Sequence, residues 1–384
     1  MKGNFPIEKF REIATPFYYY DTQVLRETLE LVKAESSKYN YHIHYAVKAN
    51  TNPRILSIVR EYGLGVDCVS GGEIQAVLDA GFPSDKIVFA GVGKIDWEIN
   101  LGLDNNIFCF NAESIPEIEI IDELAAAKGK VASIALRINP EVDAHTHRHI
   151  TTGLKENKFG INLSQLDEVL DVVERLSHIK LVGIHFHIGS QITDMTAFQA
   201  SCSRMTEVLE HFNKRQIKID HINFGGGFGI DYQHPNRQAI PDFKEYFALF
   251  NKHFKAQPGQ TVHFEPGRSI VGQCGSLITK VIYVKEGSTK KFAIVDAGFT
   301  ELIRPALYDA FHKIENITSE AETDTYDVVG PVCESSDCFG KAIDLNKASR
   351  GDLFALRSAG AYGEIMASQY NCRKLPQSYF SDLI

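Results

Sequence analysis

The strongest constraint on this chain's fold is a rhythm. Between residues 41 and 268, eight short apolar runs alternate with helix-like stretches. The runs cover 42–47, 65–69, 86–90, 107–110, 131–138, 181–187, 219–224 and 261–265. Helical patterns fall over 52–62, 72–80, 96–103, 114–128, 164–176, 195–215 and 242–255, the fifth of them after a polar insertion. Strands joined by crossovers of helix length pair in parallel, because a two-residue hairpin cannot bring the chain back to the same end. Eight such units in roughly 225 residues predict an α/β fold, a (β/α)8 TIM-type barrel. An open doubly wound sheet shares the alternation and stands as the structural alternative.

After Ser269 the texture changes. Segments 276–284, 291–296, 325–329 and 352–356 read as strands between turns, and only 301–311 reads as a helix. Near the start, a strand-like run at 15–20 precedes a helical stretch at 22–37 and is expected to pair with the C-terminal strands. The expected organisation is a barrel at 25–268 and a mostly β, sandwich- or barrel-like domain made from 1–24 and 269–384. A length of 384 residues suits two domains.

Composition narrows the function. Forty-nine acidic residues against 40 basic ones leave a net charge of −9, and no basic run exceeds pairs such as Lys290-Lys291. A nucleic-acid surface needs a concentrated basic face, so that class is excluded. The first ten residues are polar and mixed in charge, and no stretch approaches the ~18 apolar residues of a membrane span. A cytoplasmic location is therefore expected, with no membrane partner. Seven dispersed cysteines read as reduced thiols.

Several clusters carry possible chemistry at strand ends. Lys48 closes the first run, where barrel enzymes place their reactive groups and where burial makes an amine nucleophilic. By position alone, a solvated lysine is the commoner outcome. Asn223-Phe-Gly-Gly-Gly-Phe-Gly229 follows the seventh run. Its amides suit an anion, although tight turns use glycine too. Glu265-Pro-Gly-Arg268 follows the eighth and aims a carboxylate and a guanidinium outward, as a catalytic pair or a surface one. In His185-Phe-His-Ile-Gly-Ser190, alternation puts residues 185 and 187 on one side, which suits stacking better than metal binding for want of a third ligand. No metal site is expected, and His145-Thr-His-Arg-His149 reads as an exposed loop. Cys333 and Cys338 match no metal or CxxC spacing, while a thiol beside Glu334 suits proton donation. Arg304 and Tyr308 share a face if helical, and an arginine there suits a substrate carboxylate.

Taken together, these segments resemble the alanine-racemase-like (fold type III) pyridoxal-phosphate decarboxylases, most closely the branch that acts on diaminopimelate. The resemblance runs nearly end to end. It includes Tyr45-Ala-Val-Lys-Ala-Asn50, the stretch from Val66 to Glu73, His185 to Gln191, the glycine run, Glu265 to Arg268, Cys333-Glu-Ser335, Gly360-Ala-Tyr-Gly363 and Met366 to Asn371. The resemblance implies that Lys48 holds pyridoxal 5'-phosphate as a Schiff base, His187 stacks on its ring and Glu265 pairs with its ring nitrogen. It implies that Ser190, Gly226, Gly227, Gly267, Arg268 and Tyr362 surround the cofactor, with Asp67 as an acid near Lys48. Arg268, Arg304, Tyr308, Glu334 and Tyr362 are implied to hold substrate. Cys333 is implied to donate the proton from a partner subunit, so that a homodimer shares its active sites. The chain departs from the pattern after Asn371, where only 372–384 follows, which shortens the expected β domain.

The implied reaction is decarboxylation of meso-2,6-diaminopimelate to L-lysine and CO2, the last step of lysine biosynthesis. Rivals are a carboxynorspermidine or arginine decarboxylase of the same fold, and an amino-acid racemase, which needs a second base, usually tyrosine, opposite the lysine. A non-catalytic cofactor-binding barrel is a third, against which the long region after Ser269 argues.

Overall fold

The alternation closes on itself in the computed structural model, which describes residues 4–142 and 158–384. A first strand, β1 (Phe17–Tyr20), stands apart from the series. The next eight are β2 (Tyr41–Ala46), β3 (Gly65–Cys68), β4 (Ile87–Phe89), β5 (Cys109–Ala112), β6 (Ala132–Arg137), β7 (Ile179–His185), β8 (His221–Asn223) and β9 (Thr261–Phe264). Each pairs in parallel with the next, and β9 returns to β2 with Tyr41 opposite Val262 and Ile43 opposite Phe264. That closing pair excludes the open doubly wound sheet. The histidine-rich loop expected at 145–149 lies outside the described residues.

Local chemistry starts the crossover helices. The side chains of Asn52, Ser70, Asp194 and Asp242 each accept from a backbone N–H of the first turn that follows. Packing then fixes them against the strands. Phe243, Tyr246, Phe247 and Phe250 repeat at helical spacing on the helix Phe243–His253 and are buried. Their rings meet Phe228 and Phe264, with Tyr246 4.4 Å from Phe228 and Phe250 4.7 Å from Phe264. Each such ring contributes about 2–3 kcal/mol by burial, and together they pin the loop after β8 and the end of β9.

The chain divides into two compact units: the barrel, Leu29–Gly229 with Asp242–Gly267, and a β-rich unit of residues up to Thr28, Ile230–Pro241 and Arg268–Ile384. The latter adds β10 (Gly275–Glu286), β11 (Lys291–Val295), β12 (Ile314–Asn316), β13 (Thr323–Val329), β14 (Cys338–Asn346), β15 (Leu353–Leu356) and β16 (Gln377–Phe380). They form one eight-stranded sheet in the order β12-β15-β10-β11-β13-β14, with β1 beside β10 and β16 beside β1. The N-terminal strand therefore does join the C-terminal ones. Phe10, Phe17, Tyr19, Ile278 and Leu353 form an apolar core of this unit.

Two expectations need correction here. The helix expected over 301–311 is only Arg304–Tyr308. Glu301 instead turns inward to accept from the Gly298 amide at 2.6 Å, and Asp309 ends the helix in left-handed backbone. Strands β12, β14 and β16 escaped the sequence reading. In β14 the buried pattern is broken by solvent-facing residues and a bulge, which blurs its alternation.

The seam of the barrel is held by neutral imidazoles. His44 Nδ1 donates to the Lys86 carbonyl (3.3 Å), and its Nε2 accepts from His263 Nδ1 at 2.9 Å. His263 Nε2 accepts from the Thr261 hydroxyl (2.7 Å), which accepts from His221 Nδ1 (2.8 Å). Burial lowers His44 from 6.5 to about 4, and His263 lies well below its ordinary value for the same reason. The unfolded chain therefore takes up protons first as pH falls below about 6.5, so these residues withdraw stability as the pH drops from there toward about 4. Urea midpoints should fall between pH 7 and pH 5, with a shallower pH slope in His44→Phe than in the parent. Equal slopes would contradict this account of the seam.

Candidate active site

Six strands send side chains to the mouth of the barrel. Lys48 does not end β2 as expected but sits just beyond it, in a single 3-10 turn over Val47–Ala49. The turn is tied down by the Tyr45 hydroxyl, which donates to the Asn50 carbonyl at 2.9 Å. The Lys48 side chain is 35% exposed, and its Nζ lies 3.3 Å from Asp67 Oδ2, at the end of β3. Asp67 is fully buried, and its Oδ1 has no hydrogen-bond partner among the described residues. Burial, with the nearby charge of Glu265, raises Asp67 to about 6 against the opposing pull of Lys48. Burial thus favours the neutral form of this carboxyl, and Lys48 beside it favours the charged one.

Glu265, just after β9, accepts three hydrogen bonds at the mouth. His185 Nε2, at the end of β7, donates to its Oε2 at 2.9 Å. Its Oε1 accepts from Asn223 Nδ2, at the end of β8, at 2.7 Å and from Asn111 Nδ2 of β5 at 3.4 Å. The Asn223 amide is itself oriented, because its Oδ1 accepts from the Gly225 N–H at 2.8 Å. Burial alone would raise the Glu265 pKa. The charge and hydrogen bond of His185, followed by Lys48, outweigh that and hold it well below the usual carboxylate range.

The pairing of residues 185 and 187 on one strand face fails, because β7 ends at His185 and His187 lies in the loop beyond. His187 Nδ1 accepts from the Gly226 N–H at 3.4 Å. Burial and the neighbouring Arg137 and Lys48 charges keep its imidazole neutral. Ser190 follows in the same loop, half-buried. The glycines serve close packing. A Cβ on Gly226 would run into the Glu265 carbonyl oxygen, and one on Gly227, at φ +101°, would come 2.7 Å from the Gly189 carbonyl. The Gly227 amide has no partner among the described residues and leaves one donor open at the mouth. Gly267, behind Lys48, lies so near Ala46 and Ala49 that a Cβ would sit 3.0 Å and 3.1 Å from theirs.

The β-rich unit holds a second cluster. Arg268 and Arg304 are both buried and share the Tyr232 hydroxyl, at 2.5 Å from Arg268 Nη1 and 3.3 Å from Arg304 Nη2. Tyr362 lies under the Arg268 guanidinium at 4.8 Å. Arg304 Nε donates to His312 Nε2 at 3.2 Å, and burial lowers that imidazole to about 3, so it stays a neutral acceptor. Among the described residues Arg304 has no carboxylate partner, so its charge is uncompensated within the unit. Tyr308 ends the short helix, half-buried. Cys333 and Glu334 are exposed, and Glu334 accepts from the Tyr370 hydroxyl at 2.9 Å.

Sequence reasoning thus missed Asn111, Asn223, Tyr232 and His312, and it misread His185. A polar residue within a buried strand run, such as Asn111, was the available signal, since such groups persist only when paired. Gly226→Ala should cost on the order of 1–3 kcal/mol, because neither carbonyl nor loop can yield without disturbing Glu265. Equilibrium denaturation measures it, and an unchanged midpoint would contradict the packing.

Among the described residues no helix is long and apolar enough to cross a membrane, and no group of three or more His, Cys, Asp or Glu stands ready for a metal ion. The seven cysteines are free thiols. Residues 23–272 match the family described as pyridoxal-dependent decarboxylase, pyridoxal binding domain. The diaminopimelate decarboxylase of Bacteroides thetaiotaomicron is 66% identical over 383 residues, covering 100% of this chain and 99% of that protein. The enzyme of the same name from Neisseria meningitidis serogroup B is 44% identical, over 94% of this chain and 86% of its own. The crystal structure of diaminopimelate decarboxylase from Helicobacter pylori complexed with L-lysine superposes with a TM-score of 0.91 at 40% identity, over 97% of this chain and 93% of that one. With this identity spanning both units, the chain belongs to the diaminopimelate decarboxylase family of pyridoxal-dependent decarboxylases.

Proposed function

We propose that this enzyme decarboxylates meso-2,6-diaminopimelate to L-lysine and CO2, the last step of lysine biosynthesis, with pyridoxal 5'-phosphate at the barrel mouth. The observation that carries the reading is the buried Glu265 carboxyl, clamped by three donors and set at the same end of the barrel as Lys48. The donor set fits the cofactor: an amine for its aldehyde carbon, a carboxylate for its ring nitrogen, a neutral imidazole for its face and an open Gly227 amide for its phosphate. Bound pyridoxal phosphate supplies an electron sink for the pair left behind when the carboxylate departs as CO2.

The chain's own residues do the rest. Lys48 Nζ would hold the cofactor at its aldehyde carbon, with Asp67 beside it to steady the lysine charge. His187 would stack on it, and Ser190 with the Gly226–Gly227 loop, Gly267, Arg268 and Tyr362 would surround it. At the far end of the substrate, Arg304 and Arg268 take the distal carboxylate bidentately, and Glu334 with Tyr308 takes the distal amine. The uncompensated Arg304 supports this assignment, because an anion would complete it. Cys333 Sγ of the partner subunit returns a proton to the carbon that lost CO2, so the working form is a homodimer with shared sites. A cytoplasmic enzyme suits a soluble amino-acid substrate.

The direct test offers meso-diaminopimelate, ornithine, arginine and carboxynorspermidine to protein supplied with pyridoxal phosphate and follows CO2. Turnover only on diaminopimelate is expected, and turnover on a polyamine precursor instead would overturn the substrate. Arg304→Ala should raise KM by roughly tenfold or more, in line with a lost charged hydrogen bond. Mixed Lys48→Ala and Cys333→Ala chains should regain activity as heterodimers. Heterodimers that form without recovery would refute the shared site.

A further inference from the structure

We infer that His185 is a positioning residue for the cofactor, acting entirely through Glu265, and the inference rests on the function proposed above. The geometry is specific. A carboxylate can only accept, so His185 carries its proton on Nε2 and donates it to Glu265 Oε2 at 2.9 Å. Both side chains are nearly inaccessible, at 2% and 3% exposure. No described residue bonds His185 Nδ1, so Glu265 is the imidazole's single hydrogen-bond partner.

The two oxygens of Glu265 are held differently. Asn223 and Asn111 both address Oε1, and Asn223 is fixed in turn by the Gly225 amide. Among the described residues Oε2 rests on His185 alone. Without that donor the carboxyl gains freedom to rotate about the remaining contacts, and its charged form loses the hydrogen bond that offsets burial. A neutral or misdirected Glu265 no longer holds a proton on a pyridine nitrogen. His185 therefore fixes both the direction and the ionisation of the group that keeps the ring protonated. The asparagine amides also favour the charged carboxylate, but they reach only Oε1 and leave Oε2 to His185.

The test compares His185→Leu, which removes the donor, with His185→Gln, whose amide nitrogen reaches nearly the same point as Nε2. Both are made also in a Glu265→Gln background, and folding is checked by thermal unfolding. The readouts are the pyridoxal-phosphate Kd from absorbance titration of the protein without substrate and the pH dependence of the bound-cofactor spectrum. We expect His185→Leu to weaken Kd by about tenfold or more, as a lost charge-assisted bond does, and to bring the pH at which the bound ring loses its proton down into the measurable range. His185→Gln should restore most of the affinity and part of the spectrum. In Glu265→Gln, where no carboxylate remains, replacing His185 should change neither readout.

A His185→Leu protein with parental Kd and spectrum overturns the inference, as does an equal loss in the Glu265→Gln background, which would mark His185 as merely structural. If His185→Leu fails to fold, the Gln variant decides: a partial spectral change that vanishes in the Glu265→Gln background supports the role, and a parental spectrum or an equal change in that background refutes it. A parental protein that takes up no cofactor overturns the proposed function as well, and so is told apart from failure of this inference alone.

Discussion

Everything at the barrel mouth is organised around one buried carboxylate. An ionised glutamate out of water costs several kcal/mol unless its oxygens are filled with donors, and Glu265 is filled from three different strands. β5 sends Asn111, β7 sends His185 and β8 sends Asn223. Satisfying that one charge fixes where these strands end relative to β9. The same demand orders the glycine run, because Asn223 can present its amide only while the Gly225 N–H holds its oxygen. A catalytic requirement and a folding requirement thus share the same bonds.

Asp67 and Glu265 illustrate how environment divides two similar groups. Both are buried carboxyls near Lys48, yet burial prevails at Asp67 and raises it to about 6, while at Glu265 burial is outweighed by His185 together with Lys48 and His44, which hold it low. Asp67 keeps one oxygen without a partner, and Glu265 keeps none. Number of donors, not depth, separates them. One is left able to respond to the charge on Lys48, the other to impose a charge on whatever ring nitrogen faces it. At the opposite end of the barrel the same physics runs with neutral partners, where His44, His263 and His221 form a chain in which every proton has a fixed owner.

Much of this was legible in the residues. The eight-unit alternation narrowed the fold to a barrel or an open doubly wound sheet, and the motifs around Lys48, Asp67 and Glu265 carried the resemblance that implied their roles. His185 was misread because a two-residue period was extended one step past the end of β7, where the chain had already left the sheet. Tyr232 and His312 were invisible because they matter only through arginines 36 and 8 residues away in sequence, brought together by the β-rich unit. The helix after Ile303 was drawn too long because Glu301 looks like a first-turn acid in sequence, whereas in the fold it serves the Gly298 amide.

The residues alone thus carried the alternation of strands and helices and the chemical types at the strand ends, since periodicity and local caps are properties of neighbouring residues. Only the tertiary structure decided which of those residues act on one another. That β9 meets β2, that His185 rather than His187 grips Glu265, and that one tyrosine bridges two guanidiniums depend on pairings across tens to hundreds of residues. Such contacts form when burial forces polar groups to find partners, and the choice of partner is geometric.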